Sequence, residues 1–453
     1  MRRRDFAAML PVALRAPAFA QGARRPNILW ITGEDMGPQL SCYQFPQMRT
    51  ESLDRLAAEG VRFTNAFTSA PVCSSSRSGF MTGMYQTSIG AHHHRSHRMD
   101  GYRLPREAKL ITARFREAGY FTCNVREVAP GVTGAGKTDF NFTEEKPFDG
   151  THWSQRAKGQ AFFAHLNFSA PHKGPSFPKA RKLNPFMVDP RKLELPPYWP
   201  DHPVVRDEFA NYLDAIHLLD REVGATLDAL KKDGLAENTV VFFFGDNGRC
   251  LIRGKQWCYD AGLHIPLIVR WPGGDVKSGS VRENVVSALD FSATSLWLAG
   301  VPLPESLHGR PLFGPLAKPR EEIYAARDRC DMTLDRIRCV RDARYSYIRN
   351  FMPDRPYTQW NQYIERSYPT LGVMKQLHGE GKLNAAQSLF MAARKPPEEL
   401  YDIAADPHEV NNLASSPLHQ AALLERRAKI DRWVWETNDQ GRFPETPEAE
   451  RIA

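Results

Sequence analysis

The chain has 453 residues, 42% of them hydrophobic, enough to bury one large core and a smaller one. Its 60 Lys and Arg exceed its 52 Asp and Glu, and the pI near 9.1 favours anionic partners without choosing among them. No zinc-finger spacing, aromatic RNA-binding signature or long basic run argues for nucleic acid, and no segment beyond the amino terminus reaches the length of a membrane span.

The amino terminus reads Arg2-Arg3-Arg4-Asp5-Phe6, then an apolar stretch from Ala7 to Leu14 that stops at Arg15, then Ala18-Phe19-Ala20 before Gln21. This pattern predicts a twin-arginine signal peptide over residues 1–20 and a mature protein that is periplasmic or secreted. Pro26 to Gly37 follows as a continuous apolar run ending in Glu34 and Asp35. Such a run suits a parallel strand buried on both faces, and adjacent carboxylates at its end are costly there without a partner or a cation. They read as metal ligands. Thr50 to Glu59 reads as a helix.

Cys73 heads Cys73-Ser74-Ser75-Ser76-Arg77-Ser78-Gly79-Phe80-Met81-Thr82-Gly83. Ser74 to Ser76 are cap-like and Phe80, Met81 and Met84 have helical spacing, so Cys73 is expected where a turn enters a helix whose amino end favours an anion. Ala91-His92-His93-His94-Arg95 comes next, as a loop able to line a pocket mouth. The strand Tyr120 to Asn124 precedes Gly136-Lys137-Thr138-Asp139, and His152-Trp153 lies beyond. The strand Phe162 to Phe168 leads into Ser169-Ala170-Pro171-His172-Lys173. Asp207 to Lys231 carries Phe209, Leu213, Ile216, Leu219, Val223 and Leu227 at helical spacing, with His217 as a packing residue.

Val240 to Gly248 repeats the first design, an apolar strand delivering Asp246 and Asn247 at its carboxyl end, where open α/β sheets bind ligands. With Glu34 and Asp35 these form a hard, all-oxygen donor set suited to calcium or magnesium and poor for zinc or copper. Gly254-Lys255-Gln256-Trp257 and the run Asp260 to Pro272, which includes His264, complete this half. Strands near Ile28, Phe121, Phe163, Phe243 and Ile268 alternate with helices, predicting an α/β fold with a mainly parallel central sheet covered by helices. After Pro315 the character changes. Ile323 to Ala326 and Arg344 to Ile348 read as short antiparallel strands of a smaller α+β subdomain, Arg327, Asp328, Arg329 and Asp331 are candidate site contacts from it, and a helix over about Leu418 to Asn438 packs last. The expected division is a catalytic domain over 21–318 and a C-terminal subdomain over 319–453.

Taken together, the Cys73 to Gly83 stretch, the two acidic strand ends, Lys137, Pro171-His172 and Lys255 resemble the formylglycine-dependent sulfatases of the alkaline phosphatase superfamily. His92 to Arg95 with His152 point to the branch similar to bacterial heparan N-sulfatases. The resemblance implies that a formylglycine-generating or anaerobic maturating enzyme oxidises Cys73 to an aldehyde, 3-oxoalanine, whose hydrate attacks sulfur. It implies Arg77, Lys137, His172 and Lys255 as its catalytic companions. Calcium, ahead of magnesium, would be held by Glu34, Asp35, Asp246, Asn247 and the residue at position 73. His92, His93, His94, Arg95, Asp139, His152 and His264 are assigned to a sulfated carbohydrate substrate. His172 is the expected acid for the leaving group, with Lys255 as the alternative if its pKa is lowered. Three positions depart from the family pattern: Ser75 stands for Pro or Ala, Glu34 for Asp, and Asp139 for a His. A phosphonate monoester or phosphodiester hydrolase of the same superfamily, or a glycan-binding protein with unmodified Cys73, are the alternatives. Of the seven cysteines, Cys250 with Cys258 or Cys330 with Cys339 could pair in an oxidising compartment, and spacing does not decide.

Overall fold

The computed structural model describes residues 25–97, 99–174 and 176–445, so the leader expected over residues 1–20 lies outside the described residues. The strands, in chain order, begin with β1 (Asn27–Gly33), β2 (Val61–Phe67) and β3 (Phe121–Asn124). A small hairpin follows, β4 (Glu127–Ala129) and β5 (Val132–Thr133). Next come β6 (Phe162–Phe168), β7 (Thr239–Gly245), β8 (His264–Arg270) and β9 (Ser280–Ser287). The last four are β10 (Glu322–Arg327), β11 (Ile337–Asp342), β12 (Tyr345–Asn350) and β13 (Glu398–Asp402). The helices are α1 (Glu51–Glu59), α2 (Cys73–Thr82), α3 (Ile111–Glu117), α4 (Ser176–Leu183), α5 (Pro203–Lys232) and α6 (Asp260–Leu263). They continue with α7 (Leu289–Leu298), α8 (Gln362–Ser367), α9 (Pro369–Gly379), α10 (Ala385–Met391) and α11 (Gln420–Glu436).

Seven strands form the central sheet in the order β3-β6-β1-β7-β8-β2-β9. Every residue of β1, β6 and β7 is buried, as continuous apolar runs between parallel neighbours require. Alternate side chains separate two cores. Leu29, Ile31, Val241 and Phe243 pack on one face with Phe209, Leu213 and Ile216 of α5, while Ile28, Trp30, Val240 and Phe242 pack on the other with Phe80 of α2 and Phe291 of α7. Each such side chain contributes about 1.5–3 kcal/mol by leaving water. A second sheet, β10-β11-β12-β13, is antiparallel throughout and buries Val340, Tyr347 and Leu400 against Leu423 and Ile430 of α11.

Three features depart from the sequence reading. The strand at Ile268 is antiparallel to both neighbours, β7 and β2. No long crossover helix separates it from β7, so the connection stays at the carboxyl edge and keeps Lys255 beside Asp35. Strands β2 and β9 were not foreseen, because Arg62, Thr64 and Asn65 and the polar start of β9 interrupt any apolar run. Nor were α8 to α10, inserted between β12 and β13. They fold back onto α5, where Glu208 accepts hydrogen bonds from Thr370 N (3.0 Å) and from Lys173. All seven cysteines are free thiols, so neither candidate disulfide forms.

Candidate active site

The carboxyl ends of β1 and β7 deliver four buried oxygen-bearing side chains to one place. Glu34, Asp35, Asp246 and Asn247 are each exposed by 1% or less. Asp35 adopts φ 54°, a left-handed conformation that costs an L-residue energy and turns the chain out of the sheet. Its amide donates to Asp246 Oδ1 at 2.8 Å, and its Oδ1 accepts from Asn247 Nδ2 at 3.1 Å. Each carboxylate then meets a cation. Lys137 Nζ lies 2.7 Å from Glu34 Oε2, Lys255 Nζ 2.8 Å from Asp35 Oδ2, and Arg77 Nη2 3.0 Å from Asp246 Oδ2. Asn167, at the end of β6, donates to the other Glu34 oxygen. A polar residue ending an apolar strand was the signal for Asn167, and the sequence reading passed it over.

Cys73 is the first residue of α2, and Val72, in extended conformation, precedes it, so the serines sit inside the helix and not at its cap. Ser75 instead donates to the His92 carbonyl at 3.0 Å, and Asn141 holds the same loop through the carbonyls of Ala91 and His93. The loop so pinned sends its histidines in different directions. His94 Nε2 lies 3.7 Å from Cys73 Sγ, while His94 Nδ1 lies 3.0 Å from Asp331 Oδ1 in the link between β10 and β11. His93 Nδ1 accepts from Arg329 N, and His92 is buried with neither ring nitrogen paired. Arg95 donates its amide to Ser74 Oγ and keeps an exposed side chain. Asp331 thus reaches the surroundings of Cys73 through His94, and its neighbour Cys330 packs against Cys73 and Val72. Arg327, Asp328 and Arg329 are occupied elsewhere, by Asp335, Arg338 and Glu445.

Electrostatics follow from this crowding. Burial opposes ionisation of Cys73, yet Lys255, Lys137 and the hydrogen bond with His94 together hold the thiol below its usual value. Burial also opposes charge on His94, and the hydrogen bonds to Asp331 and Cys73 prevail, raising it. His172, whose Nε2 is 3.6 Å from Asp35 Oδ2, is lowered by burial despite that carboxylate. Lys255 contradicts the expectation of a lowered pKa. Burial works in that direction, but Asp35 and Cys73 push it well above the ordinary lysine value. Asp139 pairs with Arg77 Nε at 2.9 Å and lies 3.9 Å from Lys137, so it faces the cations of the site.

Besides His92 and His93, which turn toward residues of the second sheet, two more residues assigned to substrate, His152 and His264, are not brought here. His152 caps the short turn Trp153–Gln155, and Trp153 bonds Asp233 beyond the end of α5, at the amino edge of the sheet and opposite the carboxyl ends. His264 gives its Nε2 to the Thr64 carbonyl (2.7 Å) and stacks on Phe67 at 5.0 Å, so its ring is consumed by the sheet. Tyr363, which no sequence pattern marked, stands with its ring centroid 5.7 Å from Lys255 Nζ and 6.5 Å from the His172 ring.

Among the described residues no three His, Cys, Asp or Glu side chains converge at metal-ligand spacing, since each acid leans toward its own cation. The donor chemistry nonetheless fits a hard divalent ion. Asn247 Oδ1 is buried without a partner, and four carboxylates face three permanent cations, an excess of negative charge ill-suited to an anionic substrate unless a cation joins it. Arg77 Nη1 is likewise buried and unpaired, as a donor awaiting an anion's oxygen would be.

Comparison with known proteins gives the family. The sulfatase family model matches residues 26–301, and that of the C-terminal part of N-sulphoglucosamine sulphohydrolase matches 251–370. An ulvan-active sulfatase of Formosa agariphila is 34% identical over 471 residues, covering 93% of this chain and 77% of its own length. The N-sulphoglucosamine sulphohydrolase of Homo sapiens is 26% identical, covering 92% and 91%. A solved 2-O GAG sulfatase shares the fold with a TM-score of 0.66 at 19% identity, over 94% of this chain and 96% of that one. With the family model spanning more than half its length and a relative of this similarity, the chain belongs to the sulfatase family of the alkaline phosphatase superfamily and is a sulfate ester hydrolase.

Proposed function

We propose that this sulfatase removes sulfate from a sulfated carbohydrate, O- or N-linked, using an aldehyde hydrate made from Cys73 and a calcium ion held by Glu34, Asp35, Asp246, Asn247 and the residue at 73. The observation that carries the reading is the position of Cys73: first residue of a buried helix, facing His94, and within the fields of Lys137 and Lys255. When present, the hydrate supplies the hydroxyl that attacks sulfur and the ion offsets charge on a sulfate oxygen. Arg77, with a free Nη1, and Lys137 and Lys255 bind the remaining sulfate oxygens and hold them against the nucleophile. Lys255, kept protonated, serves as a fixed charge. His172, lowered by burial in the free site, takes up a proton when the anionic sulfate binds beside it and passes it to the sugar oxygen as the S–O bond breaks, while His94, oriented by Asp331 and held toward its protonated form, donates a hydrogen bond to the group at position 73.

The protein's partners in this reading are the sulfated sugar and a maturating enzyme that supplies the oxidation, and its place is the periplasm or outside the cell, as the residues 1–20 pattern supports. Mass spectrometry of the Cys73 peptide, run beside turnover assays on sulfated sugars, sulfamate and phosphodiester, tests it. Loss of the thiol mass together with desulfation is expected. An unmodified Cys73 in active enzyme, or preference for the phosphorus ester, overturns the reading. Chelation abolishing activity, with calcium restoring it, checks the metal.

A further inference from the structure

The turn Gln359 to Tyr363 enters the site from the side of the second sheet, and Asn361 pins it. Asn361 Nδ2 lies 3.3 Å from Asp331 Oδ2, and its Oδ1 accepts from Tyr363 N and Ile364 N to start α8. The same carboxylate that orients His94 therefore fixes this turn. Within it, Gln359 Nε2 and the Tyr363 hydroxyl are both buried without a hydrogen-bond partner. Buried polar groups are almost always paired, so two idle donors in one turn beside an active site call for a missing acceptor. Between them stands Trp360, 63% exposed. The other exposed Phe and Trp rings among the described residues each have an arginine over one face: Arg49 on Phe186 at 5.0 Å, and Arg442 on Trp435 at 5.6 Å and on Phe443 at 4.7 Å. Trp360 has none. An inorganic anion would leave this indole uncovered, and an apolar chain would leave both donors unmet. A pyranose offers a face of C–H groups and a perimeter of oxygens, which answers both.

We propose, resting on the sulfated-carbohydrate reading above, that this turn is the subsite for the sugar ring that carries the sulfate. Trp360 stacks on its C–H face, and Gln359 and Tyr363 donate to its oxygens. These residues set specificity by holding the sugar, while Arg77, Lys137 and Lys255 hold the sulfate.

Trp360→Ala and Tyr363→Phe in the full, Cys73-converted enzyme separate the two duties, with ulvan oligosaccharides and N-sulphoglucosamine as probes and inorganic sulfate as a competing product. Trp360→Ala is expected to raise KM about tenfold, the scale of one aromatic stacking contact. Tyr363→Phe, which keeps the ring over Lys255, should raise it about three- to tenfold through one lost hydrogen bond. In both, kcat should stay within about twofold and the inhibition constant of sulfate should not move. Binding of the same sugars to Cys73→Ala protein by calorimetry, with and without Trp360→Ala, gives a readout free of turnover. Unchanged KM and unchanged binding in an enzyme that desulfates these sugars overturn the subsite alone, and for Tyr363 assign its hydroxyl to Tyr368, whose ring packs 5.7 Å away. A parallel rise in the sulfate inhibition constant also overturns it, because the turn would then be shaping the sulfate pocket. A wild-type enzyme inactive on sulfated sugars removes the functional reading and the subsite with it.

Discussion

At the carboxyl edge of the central sheet Lys255 meets Asp35 with 3% and 0% of their side chains exposed, whereas at the opposite edge Arg270 spans Glu59 and Glu237, which are 49% and 84% exposed. Both places join a basic side chain to a carboxylate at an edge of the same sheet. The decisive difference is burial. Exposed pairs of the second kind contribute about 0–1 kcal/mol, while breaking a buried pair by removing one partner costs about 3–5 kcal/mol. Concentrating Glu34, Asp35, Asp139 and Asp246 with Arg77, Lys137 and Lys255 is therefore a poor way to stabilise a sheet edge. It is a good way to build a pocket in which water does not screen charge.

The comparison breaks most sharply at Cys73. Cys73→Ala should reduce desulfation to background while melting within about a degree of wild type, because a methyl replaces a small thiol without a cavity larger than one atom. Activity in purified, folded Cys73→Ala would remove the carboxyl edge from the chemistry. Lys255→Met comes next. It strands Asp35 in the interior and should lower stability by about 3–5 kcal/mol as well as activity, unless the carboxylate is neutralised by a bound cation. Denaturant midpoints with and without calcium decide it, and an unchanged midpoint in metal-free protein would make the two edges equivalent.

His172→Ala should cost about a hundredfold in turnover on a sulfated sugar and distinctly less on nitrophenyl sulfate, whose leaving group departs without an acid. Equal losses on the two substrates would assign His172 to sulfate binding. A smaller effect separates neighbouring histidines of one loop. His92 lies well below the usual 6.5 because it is buried, so its contribution to stability is present above 6.5 and lost as pH falls through its folded value. His94 is raised, so its contribution is full below 6.5 and lost as pH climbs through the raised value. His92→Phe should accordingly flatten the fall in melting temperature between pH 7 and 5 by about 1–2 kcal/mol equivalent, read by calorimetry across that range. A parallel fall in the variant would mean that His92 is solvated. Last, Glu59→Gln at the amino edge should change stability by less than about 1 kcal/mol and leave kcat/KM as it is. A larger loss would deny that exposure separates the two edges.

Much of the central fold was legible. The apolar runs at Ile28 and Phe243 end in acids, and no buried strand tolerates that pattern except where a ligand or cation waits. The long periodicity of α5 and the terminal helix α11 were equally plain. Harder were β2 and β9, where Thr64 and Asn65 spend their polar groups on neighbouring carbonyls, a pairing no local pattern announces. His152 and His264 misled because a histidine near a motif in sequence can lie at the wrong edge or give its ring nitrogen to a backbone oxygen, as these do.

From sequence alone came the α/β class and the two apolar strands that end in Glu34-Asp35 and Asp246-Asn247, while Cys73, Arg77, Lys137 and Lys255 became candidates through the family resemblance. The strand ends are legible because they depend on residue type within one strand, where geometry is local. Tertiary structure alone decided which histidine faces Cys73 and that Asp331, 237 residues away, orients it. It also decided that Lys255 is pushed well above the ordinary lysine value, and that an inserted segment brings Tyr363 beside it. Those outcomes depend on which charges share one buried volume. That is set by strand order and by the antiparallel return of β8, and no window along the chain contains it.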